Sequence, residues 1–353
     1  LVASAMDGVV SPDTAALVHK LGGLGVLNLE GIWTRFEDAE DQLEQISKAP
    51  REVATKLMQE VYETPVKPDL IAQRVAEIKA AGAVACGSLT PQRVRDNYEV
   101  ALEAGLDILV IQGTVISAEH VSTTVEPLNL KDFISEVPVP TVVGGCASYS
   151  TGLHLMRTGA VGVLVGVGPG AACTTRGVLG IGVPQATAIA DVAAARSQHM
   201  LETGEYVNVI GDGGMRTGGD ISKAIACGAD AVMIGSPLAR AKEAPGRGYH
   251  WGMATFHSSL PRGTRVATVQ DGTMEEILLG PAHENDGTFN LMGALRTSMA
   301  TCGYEDIRSF QRAEVMVAPA LMSEGKKLQN EQSVGMGSNG RAAVSAGVGV
   351  ADD

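Results

Sequence analysis

The chain has 353 residues, 45% of them hydrophobic and 19% charged, so it can bury a large core and is not globally disordered. Its formal net charge of −13 argues against nucleic-acid binding, and no run of about 18 apolar residues predicts a membrane span. The five cysteines are widely spaced and form no C-x-x-C pair, which argues against a disulfide framework or a zinc site. They indicate reduced thiols in a cytoplasmic protein.

Short apolar, β-branched runs alternate with helical stretches along the chain, and the first run suggests that residues precede it. The runs are apolar on both faces and are followed by glycine-rich loops, which is typical of buried parallel strands. Eight such repeats favour a closed (β/α)₈ TIM barrel over a doubly wound sheet. The predicted strands are 1–6, 25–29, 84–89, 108–112, 141–144, 162–165, 207–210 and 231–234.

The helical periodicity and two irregular segments complete the predicted organisation. Residues 31–80 are charged and mostly helical, and they are too short to predict a second domain. Residues 241–290 are rich in Gly, Pro, His and Thr and predict an active-site flap after strand eight. We therefore predict a single barrel domain over residues 1–325, including the flap, and a mobile tail over 326–353. The predicted barrel helices are 91–104, 149–158, 184–202 and 219–227.

The loop after the sixth predicted strand carries the strongest chemical signal. It reads Gly-Val-Gly-Pro-Gly-Ala-Ala-Cys-Thr-Thr-Arg over residues 166–176. Its glycines permit close approach of a ligand, and Arg176 beside Cys173 favours a nucleophilic thiolate. A loop with an incidental small hydrophobic residue is an equal alternative from composition alone. A dinucleotide-binding turn is rejected because the glycine spacing is wrong and Pro169 lies within the turn.

Two further glycine-marked loops follow the seventh and eighth predicted strands. They contain Asp212-Gly213-Gly214 and Gly235-Ser236. Barrel enzymes frequently bind phosphate with these two loops, and Asp212 would then accept hydrogen bonds from ribose hydroxyls. The alternative is a plain turn in which Asp220 caps the next helix.

The remaining cysteines and the histidines are interpreted as structural. Cys227 is expected in the core, and Cys146, which follows Gly144-Gly145, is expected to line the pocket. His250 and His257 lie in the predicted flap, where a solvated histidine is the commoner case. No set of His, Asp and Cys has metal-ligand spacing, so no transition metal is predicted.

Several motifs, taken in chain order, resemble the IMP dehydrogenase/GMP reductase family. They are SAMDGVV, GVGPGAACTTRGVLGIGVPQ, DGGMRTGGDI, AVMIGSPLAR, EAPG and GRGYHWGM. The resemblance runs from residue 1 to about residue 255 and is closest to bacterial dehydrogenase-related paralogues that lack the regulatory CBS module. It implies a barrel assembled as a homotetramer or octamer. It also implies a covalent thioimidate between the loop cysteine and C2 of the purine of IMP or GMP.

The resemblance assigns a role to each matching position. The catalytic residues would be Cys173 as nucleophile with Thr175 and Glu243 in proton transfer. The substrate-binding residues would be Ser4, Met6, Asp212, Gly213, Gly214, Gly235, Ser236, Gly252 and Met253. The cofactor, NADPH or NAD(H), would contact Gln112, Gly113, Thr114 and Gly166. The carbonyls of Gly168, Gly170 and Cys173 would hold a monovalent cation, expected to be potassium.

Three departures from the dehydrogenase pattern bear on the reaction. The segment between strands two and three is only about 50 residues, too short for a tandem CBS module, so we expect no CBS domain. No Arg-Tyr dipeptide occurs in the chain, although dehydrogenases use one to activate water, and Arg262 or Arg265 would have to replace it. Gln112 stands where relatives have an acid. We therefore predict a GMP reductase, with IMP dehydrogenase as the first alternative and a non-catalytic nucleotide-binding regulator as the second.

Overall fold

In the computed structural model, the chain forms the predicted (β/α)₈ barrel. Eight parallel strands close into one sheet in which β1 pairs with both β2 and β8. The strands are β1 Val2–Ala3, β2 Leu24–Asn28, β3 Cys86–Leu89, β4 Ile108–Gln112, β5 Thr141–Cys146, β6 Gly162–Val165, β7 Asn208–Asp212 and β8 Ala231–Ile234. The structure describes residues 1–113, 128–252, 265–317 and 326–335.

Each predicted strand overlaps one strand of the barrel, and the differences lie at the ends. β1 ends at Ala3, although the Ser4 amide still donates to the Ile234 carbonyl at 2.9 Å. β5 continues to Cys146, past a shift in register between Gly144 and Cys146. Both differences lie at the carboxyl ends of the strands, where the candidate loops begin.

The alternation of side chains along the strands produces two apolar layers. A small cluster takes about one residue from each strand and fills the barrel interior, for example Val26, Val110 and Leu164. The neighbouring positions, such as Leu27 and Leu109, point outward and pack under the helices. Strands buried on both faces explain the nearly continuous apolar runs in the sequence.

The helices cover the barrel in sequence order, and three of them occupy the segment between β2 and β3. They are α1 Pro12–Lys20, α2 Ala39–Lys48, α3 Arg51–Glu63, α4 Pro68–Ala80, α5 Val94–Glu103, α6 Leu130–Glu136, α7 Tyr149–Met156, α8 Thr175–Leu179, α9 Gln185–Thr203, α10 Gly218–Ala226, α11 Ser236–Ala239, α12 Met274–Leu278, α13 Leu291–Thr301, α14 Ile307–Phe310 and α15 Lys326–Gln332. Within the described residues, no helix is long and apolar enough to cross a membrane.

The segment predicted as a flap contains regular structure on both sides of residues 253–264, which lie outside the described part of the chain. β9 Tyr249–His250 pairs antiparallel with β10 Val266–Ala267. α12 follows, and Thr273 caps it in a reciprocal capping box with Glu276. The β9–β10 pairing therefore brings residues 249–250 next to residues 266–267.

Candidate active site

The loop after β6 packs against the end of β7 at the carboxyl mouth of the barrel. Gly166 has a φ of +151°, and a Cβ added to it would lie 2.2 Å from the Asp212 carbonyl oxygen. Only glycine permits this approach of the two backbones. The loop that carries Cys173 is thereby held beside Asp212, as the predicted site requires.

Cys173 lies where this loop turns into α8. Its amide donates to the Gly170 carbonyl at 3.0 Å, and its thiol donates to Thr175 Oγ1 at 3.2 Å. Thr175 is buried as the first residue of α8, whereas Cys173 is half-buried. Two of the three predicted catalytic residues are therefore in direct contact.

Arg176 closes the loop on itself. Its Nε donates to the Val167 carbonyl at 3.0 Å, and its Nη2 donates to the Val183 carbonyl. These bonds join the start of the loop to the segment before α9. The described hydrogen bonds of Arg176 thus organise the backbone around Cys173 rather than reaching its thiol.

The other cysteines differ from Cys173 in their surroundings. Burial raises the pKa of Cys146 to about 12, and its thiol donates to the Leu164 carbonyl at 3.5 Å. Burial also raises the pKa of Cys86, which lies in the barrel interior. Cys227 is half-buried rather than in the core, and Cys302 is exposed. Neither buried thiol is a candidate nucleophile, because the thiolate is the reactive form.

Asp212 and Gln112 meet across the mouth, although 100 residues separate them in sequence. Gln112 Nε2 donates to Asp212 Oδ2 at 3.0 Å. Burial raises the pKa of Asp212 to about 7, and the Gln112 bond opposes that rise. The structure thus brings together the residue predicted to bind ribose and a residue predicted to face the cofactor.

Gln185 also belongs to this cluster, and the sequence analysis did not single it out. Its Nε2 donates to the Val165 carbonyl at 2.6 Å and to the Asp212 carbonyl at 3.2 Å. It joins the ends of β6 and β7 from the first position of α9. The available signal was its place as the last residue of the GVGPGAACTTRGVLGIGVPQ motif, where a helix begins.

The two predicted phosphate loops lie beside the cysteine loop and the opening segment. Gly213 and Gly214 have φ values of +77° and +80°, and a Cβ on Gly214 would lie 2.9 Å from Pro169 Cβ. A Cβ on Gly235 would lie 2.5 Å from Met6 Sδ. Glycine at these positions therefore permits close backbone approach at the mouth, and the Gly213 amide donates to the Met233 carbonyl at 3.0 Å. Asp220 and Thr217 form the capping box of α10.

His250 is buried rather than solvated, which corrects the expectation from the sequence. It is 1% exposed, and its Nε2 lies 2.8 Å from Ser236 Oγ. Burial lowers the pKa of His250 to about 4. The contact attaches β9 to the loop after β8, a long-range contact that local composition does not indicate.

The buried His250 predicts a loss of stability in mild acid. Its pKa of about 4 in the folded state lies below the value of about 6.5 in the unfolded chain. The unfolded chain therefore binds the proton first, and stability falls as pH falls from 6.5 to 4. At pH 5 we expect a loss of about 2 kcal/mol relative to pH 7. Urea unfolding should show a smaller loss in a His250→Gln variant, and equal losses in both proteins would contradict this assignment.

Glu243 lies apart from the Cys173 and Thr175 pair in its described contacts. Its side chain is exposed, and its Oε2 accepts the Met274 amide at 3.0 Å, at the start of α12. It borders a cavity of about 440 Å³ with the start of α1. Its described hydrogen bond is thus a helix cap, while its proton-transfer role stays a prediction.

Some of the other predicted site residues lie in the described part of the chain and some lie outside it. Gly113 exchanges backbone hydrogen bonds with Gly144 and Gly145 at the end of β4. Gly252 directly follows the buried Trp251. Thr114 and Met253, with Arg262, His257 and residues 336–353, lie outside the described residues.

Comparison with known proteins decides the family. A family model for the IMP dehydrogenase / GMP reductase domain matches residues 1–328. The chain belongs to this family. A crystal structure of an IMP dehydrogenase/GMP reductase-like protein from Corynebacterium glutamicum has a TM-score of 0.85 at 43% identity, and the match covers 90% of this chain and 85% of the other.

Two kinds of name occur among the relatives that resemble this chain. An uncharacterized oxidoreductase of Mycolicibacterium smegmatis is 47% identical over 326 residues, covering 90% of this chain and 87% of the relative. An inosine-5'-monophosphate dehydrogenase of Methanocaldococcus jannaschii is 32% identical over 274 residues, covering 67% of this chain and 51% of the relative. The chain is an oxidoreductase of this family, whose members bind purine nucleotides and use a nicotinamide cofactor.

Proposed function

We propose that this oxidoreductase transfers hydride at C2 of a purine nucleoside monophosphate through a covalent adduct on Cys173. The observation that carries the proposal is the half-buried Cys173 thiol, which contacts buried Thr175 on a loop held beside Asp212. The thiol would add to C2, and departure of ammonia or hydride would leave a thioimidate. Asp212 would bind ribose, and the amides around Gly213 and Gly235 would bind the 5′-phosphate.

Gln112 would face the nicotinamide cofactor, which accepts or supplies the hydride. Its Oε1 is buried and has no hydrogen-bond partner among the described residues, while its Nε2 is held by Asp212. A buried acceptor of this kind gains from a ligand donor such as a carboxamide N–H. The residues present therefore fit a cofactor at the end of β4.

GMP reduction is the direction that we propose first. The chain has no Arg-Tyr dipeptide to activate a hydrolytic water. Arg265, one of two possible replacements, has its guanidinium bound to the Ser47 and Ala49 carbonyls and stacked 4.2 Å from the Tyr249 ring centroid. A reductase needs no such base, because ammonia is expelled rather than water added. GMP, NADPH and one proton would give IMP, ammonia and NADP⁺.

IMP oxidation is the second candidate, and two observations favour it. Several curated relatives are named inosine-5'-monophosphate dehydrogenases, including one from Haemophilus influenzae that is 39% identical over 180 residues. Glu243, which a reductase would use to protonate ammonia, caps α12 instead of contacting Thr175. In this direction IMP, NAD⁺ and water would give XMP, NADH and a proton.

Nicotinamide absorbance distinguishes the two directions. One reaction contains GMP with NADPH and the other IMP with NAD⁺, both in potassium buffer with a thiol reductant. Loss of absorbance with stoichiometric ammonia would establish the reductase, whereas a rise with IMP would establish the dehydrogenase. Tight nucleotide binding without turnover in either reaction would instead indicate a regulator.

Substitution of Glu243 tests its proton-transfer role in GMP reduction. We expect Glu243→Gln to slow ammonia release by about 100-fold or more while adduct formation changes less. Rapid-quench measurement of the adduct and of ammonia separates the two steps. The matched control is Glu276→Gln, which changes the other carboxylate that accepts a backbone amide at the start of α12. Unchanged reductase turnover in Glu243→Gln would limit Glu243 to helix capping.

The cation and the assembly complete the proposal. The carbonyls of Gly168, Gly170 and Cys173 belong to one tight loop, in which the Gly170 carbonyl keeps a second lone pair beside its bond to the Cys173 amide. We propose that they hold potassium, so that exchange of potassium for a larger organic cation should lower turnover.

We also propose that the protein assembles as a homotetramer or octamer, and light scattering would measure its mass in solution.

A further inference from the structure

Tyr62, near the end of α3, connects two segments at the mouth of the barrel. Its hydroxyl donates to Asp7 Oδ2, and Asp7 directly follows Met6 in the loop after β1. The Trp251 indole donates to the same hydroxyl at 2.7 Å, and Trp251 directly precedes Gly252. One side chain from the insertion between β2 and β3 therefore bridges two segments that would contact the purine.

The two residues that the bridge joins are buried and closely packed, whereas Tyr62 itself is half-buried. Asp7 and Trp251 are each 1% exposed. Trp33 Nε1 donates to the Asp7 backbone carbonyl at 3.3 Å, so a second residue of the insertion holds the same loop. A Cβ on Gly31 would overlap the Asp7 carboxylate at 1.9 Å, which leaves that carboxylate little room to move. Loss of the Tyr62 hydroxyl would leave the buried Asp7 carboxylate and Trp251 indole without their shared partner.

The insertion also holds the hairpin that leads to Gly252. Arg265 donates to the Ile46 and Ala49 carbonyls, at the end of α2 and the turn before α3. Its guanidinium stacks on Tyr249, which pairs with Ala267 in the β9–β10 hairpin. The hairpin is thus attached to the insertion at Arg265 and at Tyr62.

We propose that Tyr62 is a positioning residue for the purine nucleotide, fixing the loop that carries Met6 against the segment that ends at Gly252. The inference rests on the proposed function, since it takes Met6 and Gly252 as substrate contacts. Tyr62 itself touches no reacting atom in this account. Its loss should therefore weaken nucleotide binding more than it slows the covalent steps at Cys173.

The test uses Tyr62→Phe, which keeps the ring and removes the hydroxyl. The control is Tyr98→Phe, which removes a hydroxyl bound to exposed Glu99 while the ring stays packed on Phe133. We expect Tyr62→Phe to raise the KM or Kd for the nucleotide about tenfold with kcat changed less than about threefold. Amide exchange of peptides covering 4–10 and 249–252 in the ligand-free protein should quicken about fivefold or more.

Tryptophan emission gives an independent signature. The chain has two tryptophans, Trp33 and Trp251, and both donate within this cluster. Their emission should shift in Tyr62→Phe and not in Tyr98→Phe. Exchange, emission and nucleotide affinity all matching the control would overturn the inference. Failure of the wild-type chain to bind or convert GMP or IMP would overturn the proposed function instead. In that case, unchanged amide exchange in Tyr62→Phe would still show that Tyr62 does not position the two segments.

Discussion

Cys173→Ala should abolish turnover, by about 10⁴-fold or more, in whichever direction the reaction runs. The thiol provides the covalent bond to C2, and no group in its described contacts can replace it. Thr175, its hydrogen-bond partner, is a buried hydroxyl at 3.2 Å and has no base beside it among the described contacts. Steady-state rates at saturating nucleotide and cofactor measure the loss.

Nucleotide binding should survive the same substitution. The groups that would bind ribose and phosphate lie on the loops after β7 and β8, and their backbone approaches do not involve the thiol. Calorimetry should therefore give a Kd within about threefold of wild type. Cys302→Ala, which changes an exposed thiol, is the control and should keep full activity. A Cys173→Ala protein with wild-type turnover would eliminate the covalent mechanism.

Asp212→Asn should lower kcat/KM by about 100-fold or more. The carboxylate at the end of β7 would accept charge-assisted bonds from the ribose hydroxyls, which an amide replaces poorly. Gln112 Nε2 donates to this carboxylate, so the substitution also replaces the charged acceptor that orients Gln112 with a neutral amide. Initial rates over a range of nucleotide concentrations give the effect on kcat and KM separately.

The pH dependence of binding gives the same prediction a second test. Burial raises the pKa of Asp212 to about 7, so its carboxylate form increases as pH rises from 6 to 8. Wild-type affinity should improve over that range by more than the affinity of Asp212→Asn, because the nucleotide phosphate titrates identically for both. Asp220→Asn is the control, since Asp220 caps α10 and should affect stability by about 1 kcal/mol rather than binding. Parallel pH curves for wild type and Asp212→Asn would remove Asp212 from ribose binding.

The sequence predicted the barrel because its strongest signals are local. Strands such as 108–112 and 162–165 are short apolar runs, and their bounds agree with β4 and β6. The glycines around Cys173 mark a loop whose shape they make possible, as the contact of Gly166 with Asp212 demonstrates. Short apolar runs and glycine-rich loops are features of consecutive residues, so they can be recognised without knowledge of the fold.

Long-range contacts could not be predicted in this way. His250 is buried because it meets Ser236 across a hairpin, and Tyr62 acquires its role from Asp7 and Trp251. Nothing near these residues in sequence indicates such partners. The helix α12 could have been predicted from local sequence, because Thr273 and Glu276 have the spacing of a capping box. The sequence analysis did not predict it, because the Gly, Pro, His and Thr content of residues 241–290 indicated a flap. The contact of Glu243 is also long-range, since its described partner, the Met274 amide, lies 31 residues away.

The covalent adduct on Cys173 is the central claim, and peptide mass mapping after acid quench tests it most directly. The protein is mixed with IMP and NAD⁺ or with GMP and NADPH and quenched during turnover. The five cysteine-containing regions are then examined for a bound nucleotide. We expect the nucleotide mass on the peptide that contains Cys173 and on no other. Turnover with the nucleotide on a different cysteine, or with none on Cys173 in either reaction, would contradict the account.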